Sequence, residues 1–349
     1  MSVQLPPAGQ RLLASVEALW KPQRTPPPAF RRPVILGVDF GGTRIKLGIV
    51  DARGRCILGQ TVGEASAREL SRPRIFVEWL GRTAALWMRC LRLSPSRLLG
   101  VCVGAPGLVD ADRGLVHVLV NVPGWRNVPL RRLLQQRLRC RCLVDNDANL
   151  AALGEWRFGA GRGAKRMVCL TLGTGVGGGL IIDGRLYRGR HGAAGEIGHM
   201  VIDPQGPRCG CGNRGCLEAH VGTAAILRMG KVATPEQLSV AAKSGNRKAL
   251  RVWKEFGRLL GIGVANLVNI LDPDCVVIGG GVSNAWPYFA PSLQRTVRAL
   301  AMDAALPGVR IVRATLGHQA GIVGSAVLMW DDSIRQARRR PARVTTGAR

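Results

Sequence analysis

The strongest constraint on this chain is one segment, 195–218, which reads GEIGHMVIDPQGPRCGCGNRGCLE. It holds His199, Cys209, Cys211 and Cys216 in a glycine-rich stretch, so four soft ligands can close around one tetrahedral ion. The spacing predicts a Cys3His zinc site, with a loop of unpaired thiols as the alternative. Gly210, Gly212 and Gly215 let the backbone turn tightly enough for three thiolates to converge. Glu196 and Glu218 lie in the same segment and are more than four ligands need. A metal that only folds a loop can still aim acids and an imidazole at a substrate.

With 349 residues, 46% of them hydrophobic, the chain can bury two cores, since single cores rarely grow past about 250 residues. Three of the ten cysteines sit at metal spacing and the rest are scattered among apolar runs, a usage that points to a reducing cytoplasm. The first residues carry prolines and arginines around a short amphipathic stretch, 11–21, with no apolar core for a signal peptide. No segment runs the roughly 20 apolar residues of a membrane span. The net charge of +28 could neutralise nucleic-acid phosphates. Most of it is arginine spread along the chain, however, denser only in 335–349, and no recognition helix or aromatic single-strand platform accompanies it. Nucleic acid is therefore not an expected partner.

Along the chain, VILGVDF (34–40) is an apolar run ending at a glycine turn, followed by RIKLGIVD (44–51) and CILGQTV (56–62) with strand character. The pattern recurs as MVCLTLG (167–173), a TGVGG turn, GLIIDG with a hairpin signal at Asp183-Gly184, and RLYRG. Two copies of one antiparallel unit predict two related lobes. Helices are expected over 65–93, 129–137, from Asp147, over 234–244 and 247–270, and over 320–330, with a buried strand within 275–283. The expected organisation is a basic, poorly ordered extension (1–33), a first lobe (34–146) closed by a C-terminal helix (319–331), a second lobe with the cysteine loop (147–318), and a basic tail (332–349).

A glycine turn between strands admits close backbone approach, and its N–H groups attract anions. DFGGT (39–43) and GTGVGGG (173–179) both have this character, but neither has P-loop spacing or opens directly into a helix as a dinucleotide fingerprint does. Each alone reads more readily as an ordinary hairpin. As a pair, they could clamp one nucleotide between two lobes.

The motifs DFGGT, GAPGLVD (104–110), NVPGW (121–125), DNDAN (145–149), LGTGVGGG (172–179), GEIGH (195–199), CGCGNRGCLE (209–218) and VVIGGG (276–281) together resemble the ROK family of sugar kinases and repressors. They cover about 34–330 in the family's order. The resemblance implies an α/β, two-lobed actin/hexokinase-like (ribonuclease H-like) fold, duplicated, and commonly a homodimer. It also implies ATP and Mg2+ for the reaction, a structural Zn2+, and a hexose as substrate. It is nearest to the family's glucose-phosphorylating members, with N-acetylmannosamine, fructose or allose as alternative sugars and polyphosphate as an alternative donor. Repressors of the family carry a winged helix-turn-helix ahead of the first phosphate motif, and the 38 residues before Asp39 are too few for one. A non-catalytic sugar sensor remains the alternative of another class.

Moving a γ-phosphoryl group asks for positioning, charge neutralisation and a base near the attacking oxygen. By the resemblance Asp147 is that base, although Asp at a helix start is also an ordinary cap. Asn146, Gly107, Glu196, His199 and Glu218 are the implied sugar contacts, with His199 shared with the zinc, and Asp145 is not chosen. Asp39 faces phosphates and so implies magnesium, through water. Gly41, Gly42 and Thr43 from one turn, and Gly173, Thr174, Gly175 and Gly177 from the other, are the implied phosphate contacts. Gly279, Gly280 and Gly281 match the adenosine-side motif. Lys46 is either a phosphate contact or a solvated strand residue. Leu108 stands where N-acetylmannosamine kinases often place a polar or basic residue, which favours glucose; the loop containing His318 departs from the family's acidic version.

Overall fold

The computed structural model describes residues 3–19, 33–41, 44–63, 68–70, 72–119 and 124–339. In chain order its elements are α1 (Pro7–Leu19), β1 (Val34–Phe40), β2 (Ile45–Val50), β3 (Cys56–Val62), α2 (Pro73–Cys90), β4 (Leu98–Ala105), β5 (Leu108–Asp110), β6 (Leu115–Val118), β7 (Arg126–Val128), α3 (Leu130–Leu138), β8 (Cys142–Asn146) and α4 (Asp147–Phe158). They continue with β9 (Met167–Leu172), β10 (Val176–Ile182), β11 (Arg185–Tyr187), α5 (Leu217–Val221), α6 (Thr223–Gly230), α7 (Pro235–Lys243), α8 (Arg247–Leu271), β12 (Cys275–Gly279), α9 (Trp286–Leu300), β13 (Arg310–Arg313) and α10 (Ala320–Arg339).

The strands form two five-stranded sheets with the same logic, β3-β2-β1-β4-β8 and β11-β10-β9-β12-β13, plus a small β5-β6-β7 sheet. In each large sheet an antiparallel three-strand meander is followed by parallel strands on its inner side. The expected duplication is therefore present, and the Asp183-Gly184 turn adopts the paired positive φ values, 49° and 70°, of a tight hairpin. One apolar core packs α2 and α3 on the first sheet and a second packs α8 and α9 on the other. A third draws on both sheets together with α4 and α10. These two helices cross closely at glycines: a Cβ at Gly324 would lie 1.7 Å from the Leu150 carbonyl oxygen. The catalytic candidate Asp147 is thus the first residue of a helix that is itself part of the layer between the sheets.

Four expectations need correction. The long helix runs Pro73–Cys90 and starts at a proline, which fixes φ at the first helical turn without losing a needed hydrogen bond, while residues 65–67 and 71 of the expected span lie outside the described residues. Part of the N-terminal extension is helical: in α1, Ala8 is buried, its N–H donates to Glu69 Oε2 at 3.0 Å, and Gly9 lies against Leu70 and Trp79. The closing helix continues to Arg339, eight residues into the expected tail, and Ser333 Oγ donates to the Met329 carbonyl at 2.7 Å within it. The strand expected over 275–283 ends at Gly279, where a 3-10 turn takes over.

Candidate active site and cysteine cluster

Strand β8 delivers Asn146 to the start of α4 in extended geometry, and Asn146 Oδ1 accepts the N–H groups of Ala148 and Asn149 at 2.9 and 3.1 Å. Asn146, not Asp147, therefore caps the helix. Its Nδ2 donates to the Gly107 carbonyl at 3.1 Å, tying the helix start to the β4–β5 corner. Asp147 is the half-buried residue just inside the helix, its Oδ1 accepting the Ala148 N–H at 2.9 Å. Burial, then the negative charge of Asp39, push its pKa up to about 7; the Ala148 N–H and the Lys46 cation only partly oppose this. A carboxyl that titrates near neutrality suits proton abstraction.

Asp39 and Lys46 are cross-strand partners on β1 and β2. Lys46 Nζ lies 2.9 Å from Asp39 Oδ2, both side chains half-buried, so Lys46 is not a solvated strand residue. The first glycine turn closes by Gly41 N–H to the Arg44 carbonyl at 2.9 Å; Gly42 and Thr43 lie outside the described residues. In the second turn Gly173 N–H donates to the Gly175 carbonyl at 2.9 Å, leaving Thr174 exposed at the tip. Gly41 and Gly173 therefore use their N–H groups inside the turns. Gly177 pairs with Thr171, and a Cβ there would lie 2.9 Å from the Ala148 Cβ, so it lets β10 pack on α4. Gly280, at φ 81°, ends β12 against the Leu172 backbone, where a side chain would clash, and Gly279 and Gly281 flank it.

Glu218 reaches this turn from α5. Its Oε2 accepts the Val176 N–H at 2.8 Å and would lie 2.2 Å from a Cβ on Gly175, which explains glycine there. His199 Nε2 is 3.9 Å from Glu196 Oε2, and the Glu196 side chain is 52% exposed. The other face of the imidazole meets the cysteines: Nδ1 is 3.6 Å from Cys209 Sγ, and Cys211 Sγ is 3.7 Å from Cys216 Sγ. The ligand atoms of His199, Cys209, Cys211 and Cys216 all lie within 4.8 Å of one another. None of the ten cysteines is in a disulfide.

The sequence reading missed two residues. Arg188 pairs with Asp145, the acid set aside in DNDAN, through Nε at 2.9 Å and through Nη2. Glu155, 1% exposed in the middle of α4, accepts the N–H groups of Ala160, Thr315 and Leu316 at 2.9, 3.1 and 2.8 Å. The one local signal for Glu155 is a lone acid on the buried face of an apolar helix. Arg188 has none.

The pattern of the ROK family matches residues 35–332. The chain belongs to the ROK family. A glucokinase of Halalkalibacterium halodurans is 35% identical over 314 residues, 84% of this chain and 94% of that protein. A xylose repressor of Caldicellulosiruptor bescii is 32% identical over 322 residues, 86% of this chain and 79% of that protein. Among solved structures, a ROK family glucokinase from Streptomyces griseus in complex with glucose and AMPPNP is 35% identical, with a TM-score of 0.72 over 84% of this chain and 98% of that one. The expected two-lobed fold is thus that of ROK proteins with solved structures, and no described helix is long and apolar enough to cross a membrane.

Proposed function

We propose that this protein is an ATP-dependent hexose kinase that transfers the γ-phosphoryl group to the 6-hydroxyl of D-glucose. The observation that carries this reading is Asp147, a carboxyl tuned to about 7 at a helix start, with the Asp39–Lys46 pair acting on it electrostatically. Similarity to glucokinases over most of the chain supports the substrate.

In this reading Asn146, Gly107, Glu196, His199 and Glu218 hold the sugar hydroxyls. Asp147 takes the 6-hydroxyl proton as that oxygen forms its bond to the γ-phosphorus, the bridging P–O bond breaks, and ADP leaves. Asp39 Oδ1 has no hydrogen-bond partner among the described residues and fits a hydrated divalent cation. Magnesium held there would neutralise phosphate charge.

The four-residue cluster is read as a structural zinc site. A tetrahedral ion with Zn–S of about 2.3 Å and Zn–N of about 2.0 Å has S–S and N–S edges of about 3.8 and about 3.5 Å. The observed 3.7 and 3.6 Å support this reading, in which Nδ1 of His199 faces the metal and Nε2 the sugar. All four positions are filled by protein, which leaves none for chemistry. The same reading takes 34–146 with the closing helix and 147–318 as the two lobes of a cytoplasmic homodimer, the ten unpaired thiols supporting a reducing compartment.

Similarity to a xylose repressor favours one second reading, a sugar sensor without turnover. A sensor has use for the sugar contacts but none for a base. The test is kcat/KM with ATP and magnesium, and separately with polyphosphate, for glucose, mannose, fructose, allose, N-acetylglucosamine and N-acetylmannosamine. Glucose is expected to lead. An N-acetylated sugar ahead by about tenfold, or about 1.4 kcal/mol, would replace glucose. No turnover with any sugar would leave the sensor.

A further inference from the structure

Asp145 and Arg188 come from different sheets: Asp145 lies on β8, and Arg188 follows β11 at the edge of the second sheet. Asp145 is 1% exposed, and its two oxygens divide their work. Oδ2 takes Nε and Nη2 of Arg188. Oδ1 takes the backbone N–H of Asn146 at 2.8 Å and Nδ2 of Asn149 at 3.1 Å. The peptide fixed by that first contact is the one that presents Asn146 and then Asp147.

On its own side, Arg188 roots the loop that leads to Glu196 and His199. Its carbonyl accepts the Ala194 N–H at 3.1 Å, closing 188–194 into a compact turn. At Gly192 a Cβ would lie 2.7 Å from the Val109 carbonyl, so the loop also packs on β5, beside the Gly107 corner. One ion pair, buried at its Asp145 end and half-buried at Arg188, therefore spans from the root of the loop carrying Glu196 and His199 to the segment carrying the base.

We infer that Arg188 is a positioning residue that sets the geometry of the sugar site and the base together, through the buried carboxylate of Asp145. The inference rests on the kinase reading above. A buried carboxylate is costly without its countercharge, and removing one partner of such a pair does more harm than removing both. Arg188→Ala leaves Asp145 buried with neutral donors only, so the Asn146 peptide and the Glu196 loop lose their common anchor. Among the described residues, neither of the glycine turns at 41–44 and 173–175 forms part of this network.

The experiment measures kcat, KM for glucose and KM for ATP on the full chain for wild type, Arg188→Ala, Arg188→Lys and Asp145→Asn/Arg188→Ala, with melting temperatures alongside. Arg188→Ala is expected to raise the glucose KM about tenfold and lower kcat about tenfold, with the ATP KM within about twofold. Arg188→Lys keeps the charge without the guanidinium fork and should fall between. The double variant should recover at least about threefold of the kcat/KM lost by Arg188→Ala, because the unpaired charge is gone. An unchanged glucose KM with only a lowered melting temperature overturns the inference, as does absence of recovery in the double variant. Glucose dissociation constants by calorimetry, for wild type and Arg188→Lys, need no turnover. A wild type that binds glucose but does not phosphorylate it sinks the kinase reading alone, whereas equal affinities in the two proteins sink the role of Arg188.

Discussion

Lys46 Nζ and Asp39 Oδ2 sit 2.9 Å apart across the β1–β2 ladder, and the two opposite charges act in opposite directions on Asp147. Asp39 holds the proton on Asp147, and Lys46 helps remove it. A phosphoryl-transfer site with carboxylates near incoming phosphates needs such a balance.

The acid limb of kcat/KM should therefore reflect this pair. In the proposed mechanism Asp147 acts as the deprotonated base, so activity is expected to fall as pH drops through about 7. Lys46→Met removes the opposing cation and should move that limb to higher pH, while Asp39→Asn should move it lower, whatever each does to the plateau. The check is the pH–rate profile. A limb that stays in place in both variants would mean that neither charge governs the base.

Zinc should be present at one ion per chain, because four ligand atoms already lie within 4.8 Å of one another. Elemental analysis of purified protein measures it. Cys211→Ser should lower both metal content and melting temperature, and weaken glucose binding through His199 and Glu218. Active protein free of zinc would contradict the assignment.

Glu155 should prove a stability determinant with little direct part in catalysis. Three backbone N–H groups converge on a side chain that is 1% exposed. Glu155→Ala removes the acceptor these N–H groups share and should cost about 1–3 kcal/mol. Glu155→Gln, which keeps one carbonyl acceptor, should cost less. Chemical denaturation resolves the order, and equal stability of all three proteins would show that the latch contributes nothing.

Much of this architecture is legible in the sequence because it is written in local patterns. The two meanders show as alternating runs broken by glycine, and the cysteine cluster shows as spacing. What escaped local reading is pairing across distance: Arg188 meets Asp145 from 43 residues away, and Glu155 meets the Thr315 loop from 160. Neither contact leaves a periodicity. The run DNDAN illustrates the limit within three residues, since cap, base and ion-pair partner are all polar side chains that suit a helix start. The fold decides which is which, by giving Asn146 the extended geometry of the cap and burying Asp145. The glycines of the second turn are legible as close approach, and the protein neighbours that approach are Glu218 at Gly175 and Ala148 at Gly177. The helix at Pro7–Leu19 shows in the sequence only as a short amphipathic stretch, beside a proline- and arginine-containing segment that reads as a disordered extension.

Asp147→Asn offers the most direct measurement of the mechanism, since amide and carboxylate have nearly the same shape and Asn146 already caps the helix. The turnover number with glucose and ATP and the glucose dissociation constant are measured on the same protein. Turnover is expected to fall by about 10²-fold or more, with the dissociation constant within about threefold of wild type. Turnover within a few-fold of wild type would contradict the assignment of Asp147 as the base.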